Sequence, residues 1–258
     1  MSSQGASFWD HLDVLRGVLF RILGVWLLLG IAYFIAMPYI FDTVILGPCH
    51  TDFIFYEWLR AIANRFELTD EFFTQSLEIK LTNINLTAPF FIHLSSSFWM
   101  AVVTATPYLI WEIWRFVSPA LYDKEKKGVR KALGLGTIMF YLGVAVGYLM
   151  VWPMALRFLV NYNLTPSVET HLTLESYMDN FMMLVLCMGL AFELPLVTWL
   201  LSVMGIVNKA FLRKYRRHAI VIIVILAAII TPTGDPFTLF IVAIPLYLLF
   251  EFSILLVK

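Results

Sequence analysis

Between Phe181 and Val203 the chain runs for 23 residues with one charged side chain, Glu193, near the middle. As a helix rising about 1.5 Å per residue, such a stretch crosses a hydrocarbon core of about 30 Å. An ionised carboxylate at that depth is costly. Glu193 must therefore be protonated and hydrogen-bonded to a neighbouring helix, or face a polar cavity. The second reading is favoured, and gives a concave groove with an intramembrane carboxylate used in transport. Pro195 follows two residues later, lacks a backbone N–H, and permits a local break in the helix.

The rest of the chain repeats this pattern. Of 258 residues 60% are apolar and 14% charged, with a mean hydropathy of +0.82; soluble domains carry roughly 25% charged residues. Six apolar runs stand out: Val18–Phe41, Phe90–Trp114, Leu133–Met154, Phe181–Val203, Ala219–Ile230 and Phe237–Val257. They predict an all-α membrane protein, one polytopic domain over residues 1–258 with six transmembrane helices. The fifth run holds twelve residues, about 20 Å of helix, so it must thin the bilayer or be shielded by neighbours. Arg21, one turn inside the first run, is expected to snorkel to the interface. Gly143 and Gly147 form a small-xxx-small face suited to close helix contact. Cys49 and Cys187 fall in a loop and in mid-span, which argues against a disulfide. The first apolar run is too long for a signal-peptide core and has no small-residue cleavage site.

Basic residues set the orientation. Arg115, Lys124, Lys126, Lys127, Arg130 and Lys131 lie between runs two and three, and Lys209, Arg213, Lys214, Arg216 and Arg217 between runs four and five. The alternate loops hold only Arg60, Arg65, Lys80 and Arg157. The positive-inside rule then predicts that both termini are cytoplasmic. The long outer segment 42–89 is acidic, and within it Phe55, Trp58, Leu59, Ile62 and Phe66 recur at helical spacing, predicting a short helix on the membrane surface. Leu77, Ile79 and Leu81 alternate as in a brief strand. A further helix is expected around Leu174–Asn180. Asn85 and Asn163 open chance glycosylation-like triplets.

No catalytic constellation is visible. His93 and Ser95–Ser97 have no acid partner for a hydrolase triad. The chain has no phosphate-cradling glycine loop, no zinc-like spacing and no implied metal or cofactor. The basic loops fit topology signals or anionic lipid better than nucleic acid. Apart from the membrane-embedded Glu112 and Glu251, the inner carboxylates are Asp10, Asp13, Asp123 and Glu125. Adjacent lysines neutralise some of them, or they receive a cationic ligand; arginine is the natural candidate, because its planar fork pairs with a carboxylate through two bonds.

Several ordered motifs resemble one family. His11-Leu-Asp13-Val14-Leu-Arg16 resembles the His-Leu-x-Glu-Leu-Arg opening of the TatC family, the receptor core of the twin-arginine protein translocase. Trp111-Glu-Ile-Trp-Arg-Phe116-Val-Ser-Pro119-Ala-Leu-Tyr122, followed by Asp-Lys-Glu125, is similar to its first cytoplasmic loop. Phe192-Glu193-Leu-Pro195, Thr231-Pro-Thr-Gly-Asp235 and Ala243-Ile-Pro245-Leu-Tyr247-x-x-Phe250-Glu251 resemble its later spans.

The resemblance implies a non-enzymatic receptor in a prokaryotic cytoplasmic membrane. Such a receptor binds twin-arginine signal peptides of folded proteins, self-associates, and works with single-span TatA- and TatB-type subunits under the proton-motive force. It implies that Glu125 binds signal, with Phe116, Pro119 and Arg16 shaping that surface. Glu193 and Glu251 become intramembrane polar sites, and Pro48 and Asp235 outer-loop positions. Val14 departs from the pattern by standing where the family has glutamate. Asp10, on the same helical face, or Asp13, beside it, is then the candidate replacement. Val242 and Leu246 are expected to face a partner helix. The runner-up reading is an ion-coupled secondary transporter of a small solute, using Glu193 and Glu251 as coupling carboxylates.

Overall fold

The computed structural model describes residues 8–67, 79–117, 123–162, 171–231 and 235–257, with side chains left undescribed at 8–11, 117 and 123–132. The described residues are almost wholly helical: α1 (Phe8–Ile40), α2 (Ile54–Arg65), α3 (Ala88–Val117), α4 (Asp123–Val146), α5 (Trp152–Asn161), α6 (Leu174–Ala191), α7 (Leu194–Val203), α8 (Lys209–Lys214), α9 (Arg216–Ile230) and α10 (Pro236–Leu256). Helices satisfy their own backbone polar groups, which apolar surroundings require. Among the described residues, five helical segments are long and apolar enough to cross a membrane: Leu12–Arg65, Ala88–Phe116, Leu133–Asn161, Leu174–Val203 and Pro236–Leu256. The fifth apolar run of the sequence is α9, whose 15 residues extend about 22 Å.

Internal contacts divide the chain into two compact units, Met1–Met37 with His93–Ile138, and Pro38–Ile92 with Met139–Lys258. In the first unit α1 and α3 run antiparallel. Gly30 admits the Phe98 ring, which would lie 2.9 Å from a Cβ at that position. Trp26 Nε1 donates to the Phe98 carbonyl at 3.2 Å, and Tyr33 and Thr104 share a hydroxyl bond of 2.7 Å. His93 has a helix-packing role. Its ring stacks on Phe34 at 4.1 Å, and its Nε2 donates to the Phe34 carbonyl at 2.7 Å. That carbonyl lies four residues before Pro38, which has no N–H to offer it.

The second unit holds the tighter crossing. A Cβ on Gly143 would meet the Met188 carbonyl at 2.6 Å, and one on Gly189 would meet Val144 at 2.8 Å. Here α4 and α6 approach nearly backbone to backbone, as the small-residue spacing predicts. Between α4 and α5 the helix widens into a π turn, Gly147–Val151. Pro153 explains the widening: it cannot donate to Leu149, and its ring crowds that carbonyl.

Beyond α1 the chain widens into a π turn (Phe41–Ile45) and then tightens into a 3-10 turn (Gly47–Cys49). Helix ends leave carbonyls without partners, and tyrosines from three elements close them here. Tyr148 donates to Val44 at 2.6 Å, Tyr177 to Ile45 at 2.7 Å and Tyr56 to Pro48 at 2.9 Å. Helix α2 buries Phe55, Tyr56, Leu59 and Ala63 and leaves Ile54, Trp58 and Phe66 exposed. The expected apolar stripe is thus split between a protein-facing and an outward-facing side.

Two expectations need correction. Ile79 and Leu81 form no strand; the one β pairing among the described residues is an isolated parallel bridge between Thr82 and Thr173. A single bridge is formed because α6 begins at Leu174, directly after Thr173, and leaves no extended partner to continue the ladder. Leu77 and Asn163 lie outside the described residues. Val242 and Leu246 face inward, at 0% and 1% exposure, because with Leu249 and Ser253 they recur at helical spacing on the core side of α10. Ile244 and Leu248 occupy its outer face. Both cysteines are free thiols.

Candidate functional site

In the first unit, one end of α1 and the end of α3 enclose an open cleft of about 430 Å³, lined by Asp13, Val14, Gly17, Val18, Arg21, Arg115 and Phe116. Val14 is 53% exposed, so the family's glutamate position opens onto this cleft. Asp13 is exposed beside it. Arg16 lies outside this lining, its guanidinium 5.6 Å from the Phe20 ring centroid. Arg115 lies against Trp111 at 5.9 Å. Phe116 is half-buried. Glu125 lies on α4 and Asp10 on α1, both among the undescribed side chains, and Pro119 lies outside the described residues. The structure therefore brings Asp13, Val14 and Phe116 to one cleft.

Behind the cleft is a cluster the sequence reading missed. Arg21 does not snorkel freely. Its Nε donates to Glu112 Oε1 at 3.0 Å and its Nη2 to Oε2 at 2.8 Å. Tyr108, one turn before Glu112 on α3, donates to Oε1 at 3.0 Å. The Glu112 side chain is 1% exposed and that of Arg21 44%, so the arginine covers the carboxylate on the cleft side. A lone charge in each of two apolar runs, Val18–Phe41 and Phe90–Trp114, was the available signal.

In the second unit the fourth apolar run is broken where Pro195 permits. Helix α6 ends at Ala191, Phe192 and Glu193 form a turn, and α7 begins at Leu194 with Pro195 in its first turn. Glu193 occupies the N-cap position of α7, but its side chain caps nothing. Its Oε1 is buried, and among the described residues no donor reaches it. Such an oxygen suits a protonated or externally donated state better than a bare charge. Glu251 accepts from Arg216 Nη2 at 2.6 Å and from Tyr247 at 3.1 Å. Asp235 is an N-cap, its Oδ1 accepting from the Thr238 N–H at 2.7 Å. Pro48 is buried in the tyrosine-capped turn.

These features define an integral membrane protein whose polar chemistry rests on a few carboxylates in apolar helices and on the open cleft between the ends of α1 and α3. No cluster of three or more His, Cys, Asp or Glu that could hold a metal occurs among the described residues. Residues 10–245 match the family model of the Sec-independent protein translocase protein (TatC). The TatC of Blattabacterium from Periplaneta americana is 33% identical over 250 residues, covering 96% of this chain and 93% of the relative. A crystal structure of the twin-arginine translocase receptor TatC superposes with a TM-score of 0.69 at 31% identity, covering 95% of this chain and 97% of the other. A second crystal structure of that receptor, in DDM, gives 0.72 at 30% identity, covering 96% and 99%. The chain belongs to the TatC family of twin-arginine protein translocases. This is a non-enzymatic protein-transport family, which decides against the solute-transporter alternative.

Proposed function

We propose that this chain is the signal-recognising core of a twin-arginine translocase in a prokaryotic cytoplasmic membrane. It forms one polytopic domain with six spans, α9 supplying the short fifth, and both termini in the cytoplasm. The alternation of basic loops supports that orientation. The observation that carries the function is the open cleft at Asp13, Val14 and Phe116, in a chain matched to TatC over residues 10–245. In this reading the cleft and the first cytoplasmic loop receive the paired arginines of a signal peptide on folded cargo. Glu125 is the principal acceptor, Asp13 the nearest acceptor beside Val14 and Asp10 its alternative, while Phe116, Pro119 and Arg16 shape the surface.

Glu193 lines a polar groove in mid-membrane and acts in transport after recognition, driven by the proton-motive force. The break at Phe192–Glu193 and the buried Oε1, which no donor among the described residues reaches, support that role. Self-association and single-span TatA- and TatB-type subunits complete the machine. The exposed apolar side chains of α9 and α10, among them Ile225, Ile229, Ile244 and Leu248, are the surfaces for those subunits. Glu251 stands on the same pair of helices; Pro48 and Asp235 hold the outer turns.

Titration of the purified protein with a twin-arginine peptide against its twin-lysine counterpart tests this reading. The twin-arginine peptide is expected to bind at least about tenfold tighter, since lysine lacks the two-point fork. Glu125→Ala should weaken it by about 1.5–3 kcal/mol, the scale of a hydrogen bond to a charged group, and Asp13→Asn by less. Glu193→Ala should block export with peptide binding intact, and Glu193→Gln should be milder. Equal affinity for the two peptides removes the reading.

A further inference from the structure

We propose that Glu112 is a latent acceptor for one guanidinium of the signal peptide and that Arg21 is its resident occupant, displaced when signal binds. The inference rests on the twin-arginine reading above and names a further residue of its recognition site.

The physical case starts from Val14. Its side chain accepts no hydrogen bond, yet it opens onto the cleft where the family has a carboxylate. Val14, Val18 and Arg21 recur four and three residues apart, so they share one face of α1. A ligand guided along this face from the cleft mouth meets Arg21 next. Arg21 holds Glu112 through Nε and Nη2, one donor to each oxygen. This is the fork geometry an arginine of a peptide would use. Tyr108 donates to the same carboxylate at Oε1 and helps to hold it in place. An oriented guanidinium site is therefore already built, and it is filled from within.

Exposure gives the direction of exchange. Glu112 is 1% exposed and cannot be reached while Arg21 covers it, whereas Arg21 is 44% exposed and can swing into solvent. Exchange replaces one guanidinium by another, so the buried carboxylate is never left without a counter-charge, the state that is strongly unfavourable. Asp13 is the carboxylate on the described cleft wall, while Arg115 contributes a like charge. A lysine ligand makes one contact where Arg21 makes two, and so competes poorly. The resident arginine thereby sharpens discrimination between paired arginines and paired lysines.

The alternative is a permanent clamp between α1 and α3, and the two readings predict opposite results for one variant. Full-length protein in nanodiscs is titrated with twin-arginine and twin-lysine peptides, with tryptophan-fluorescence melting as the check on folding. Arg21→Met removes the competitor and is expected to tighten the twin-arginine peptide about fivefold. Glu112→Gln is expected to weaken it about tenfold, the scale of one charge-assisted bond. The double variant Arg21→Met, Glu112→Met removes the buried charge entirely, a replacement proteins tolerate well, and should bind as weakly as Glu112→Gln. If Arg21→Met does not fold, Arg21→Lys supplies the same sign of change, tightening by about twofold through its weaker hold. Unchanged or weaker twin-arginine binding in the Arg21 variants, with the wild type still preferring paired arginines, overturns the inference and leaves the receptor reading standing. Loss of that preference in the wild type itself overturns both.

Discussion

Two arginine–glutamate–tyrosine clusters, one in each unit, are built from the same parts and held differently. In both, the tyrosine precedes the glutamate by one helical turn and donates to it, and an arginine from another helix supplies the counter-charge. At Glu112 the arginine grips both oxygens and the carboxylate is 1% exposed; at Glu251 a single nitrogen reaches one oxygen and the carboxylate is 28% exposed. The difference lies in where the arginine starts. Arg21 reaches from inside a long helix across a helix pair, whereas Arg216 opens α9 and meets the last turns of α10 from a helix end. Burial and two-point contact make the first an organised guanidinium site. Partial exposure and a one-point contact make the second a looser tie between two helix ends.

The largest expected effect separates the two glutamates. Glu112→Ala opens a buried gap and strips Tyr108 and Arg21 of their shared acceptor, and should lower the unfolding midpoint by on the order of 5–10 °C. Glu251→Ala should lower it by about 1–3 °C. Matching shifts in detergent-solubilised protein would erase the distinction.

Glycines sharpen the same contrast between filled and open surroundings. Gly143→Ala forces a methyl against the Met188 carbonyl at 2.6 Å and should cost about 1–3 kcal/mol. At Gly134 a Cβ meets nothing within 4 Å. Gly134→Ala should therefore be neutral or stabilise by up to about 1 kcal/mol through helix propensity. Thermal melts of the two variants decide it, and a costly Gly134→Ala would show that the open face is filled.

Salt gives the smallest effect. At about 1 M the Debye length is about 3 Å. The melting difference between wild type and Glu251→Ala should then vanish, while that for Glu112→Ala persists. Melts at low and high salt measure it, and a salt-sensitive Glu112 difference would place that pair in water.

Much of this architecture was legible in the sequence because apolar period and small-residue spacing are local signals. The long helices, the break beside Pro195, the amphipathic α2 and the close approach at Gly143 follow from residues near in sequence. Glu193 stood out because one charge in an apolar run needs no partner to be noticed. The Arg21–Glu112 bond was not legible, since its partners are 91 residues apart; alone, Arg21 reads as a snorkelling charge and Glu112 as a membrane-embedded carboxylate with no named partner. The role of His93 was hidden for the same reason: the carbonyl it serves is freed by Pro38, on a different helix. The burial of Val242 and Leu246 was missed because α10 is apolar all round, so period alone does not name the inward face. The capping of α10 by Asp235, through the Thr238 N–H, is by contrast a local signal, an aspartate directly before a proline-led apolar run.

Photo-cross-linking tests the recognition cleft most directly. A benzophenone side chain is placed at Phe116 or at Val14 in the intact protein, and a folded cargo precursor is added to membranes. The account predicts a cross-link to the signal segment of the twin-arginine precursor that is lost for its twin-lysine variant and reduced by Glu125→Ala. A cross-link of equal strength with both precursors, or none from either position while export proceeds, would contradict it.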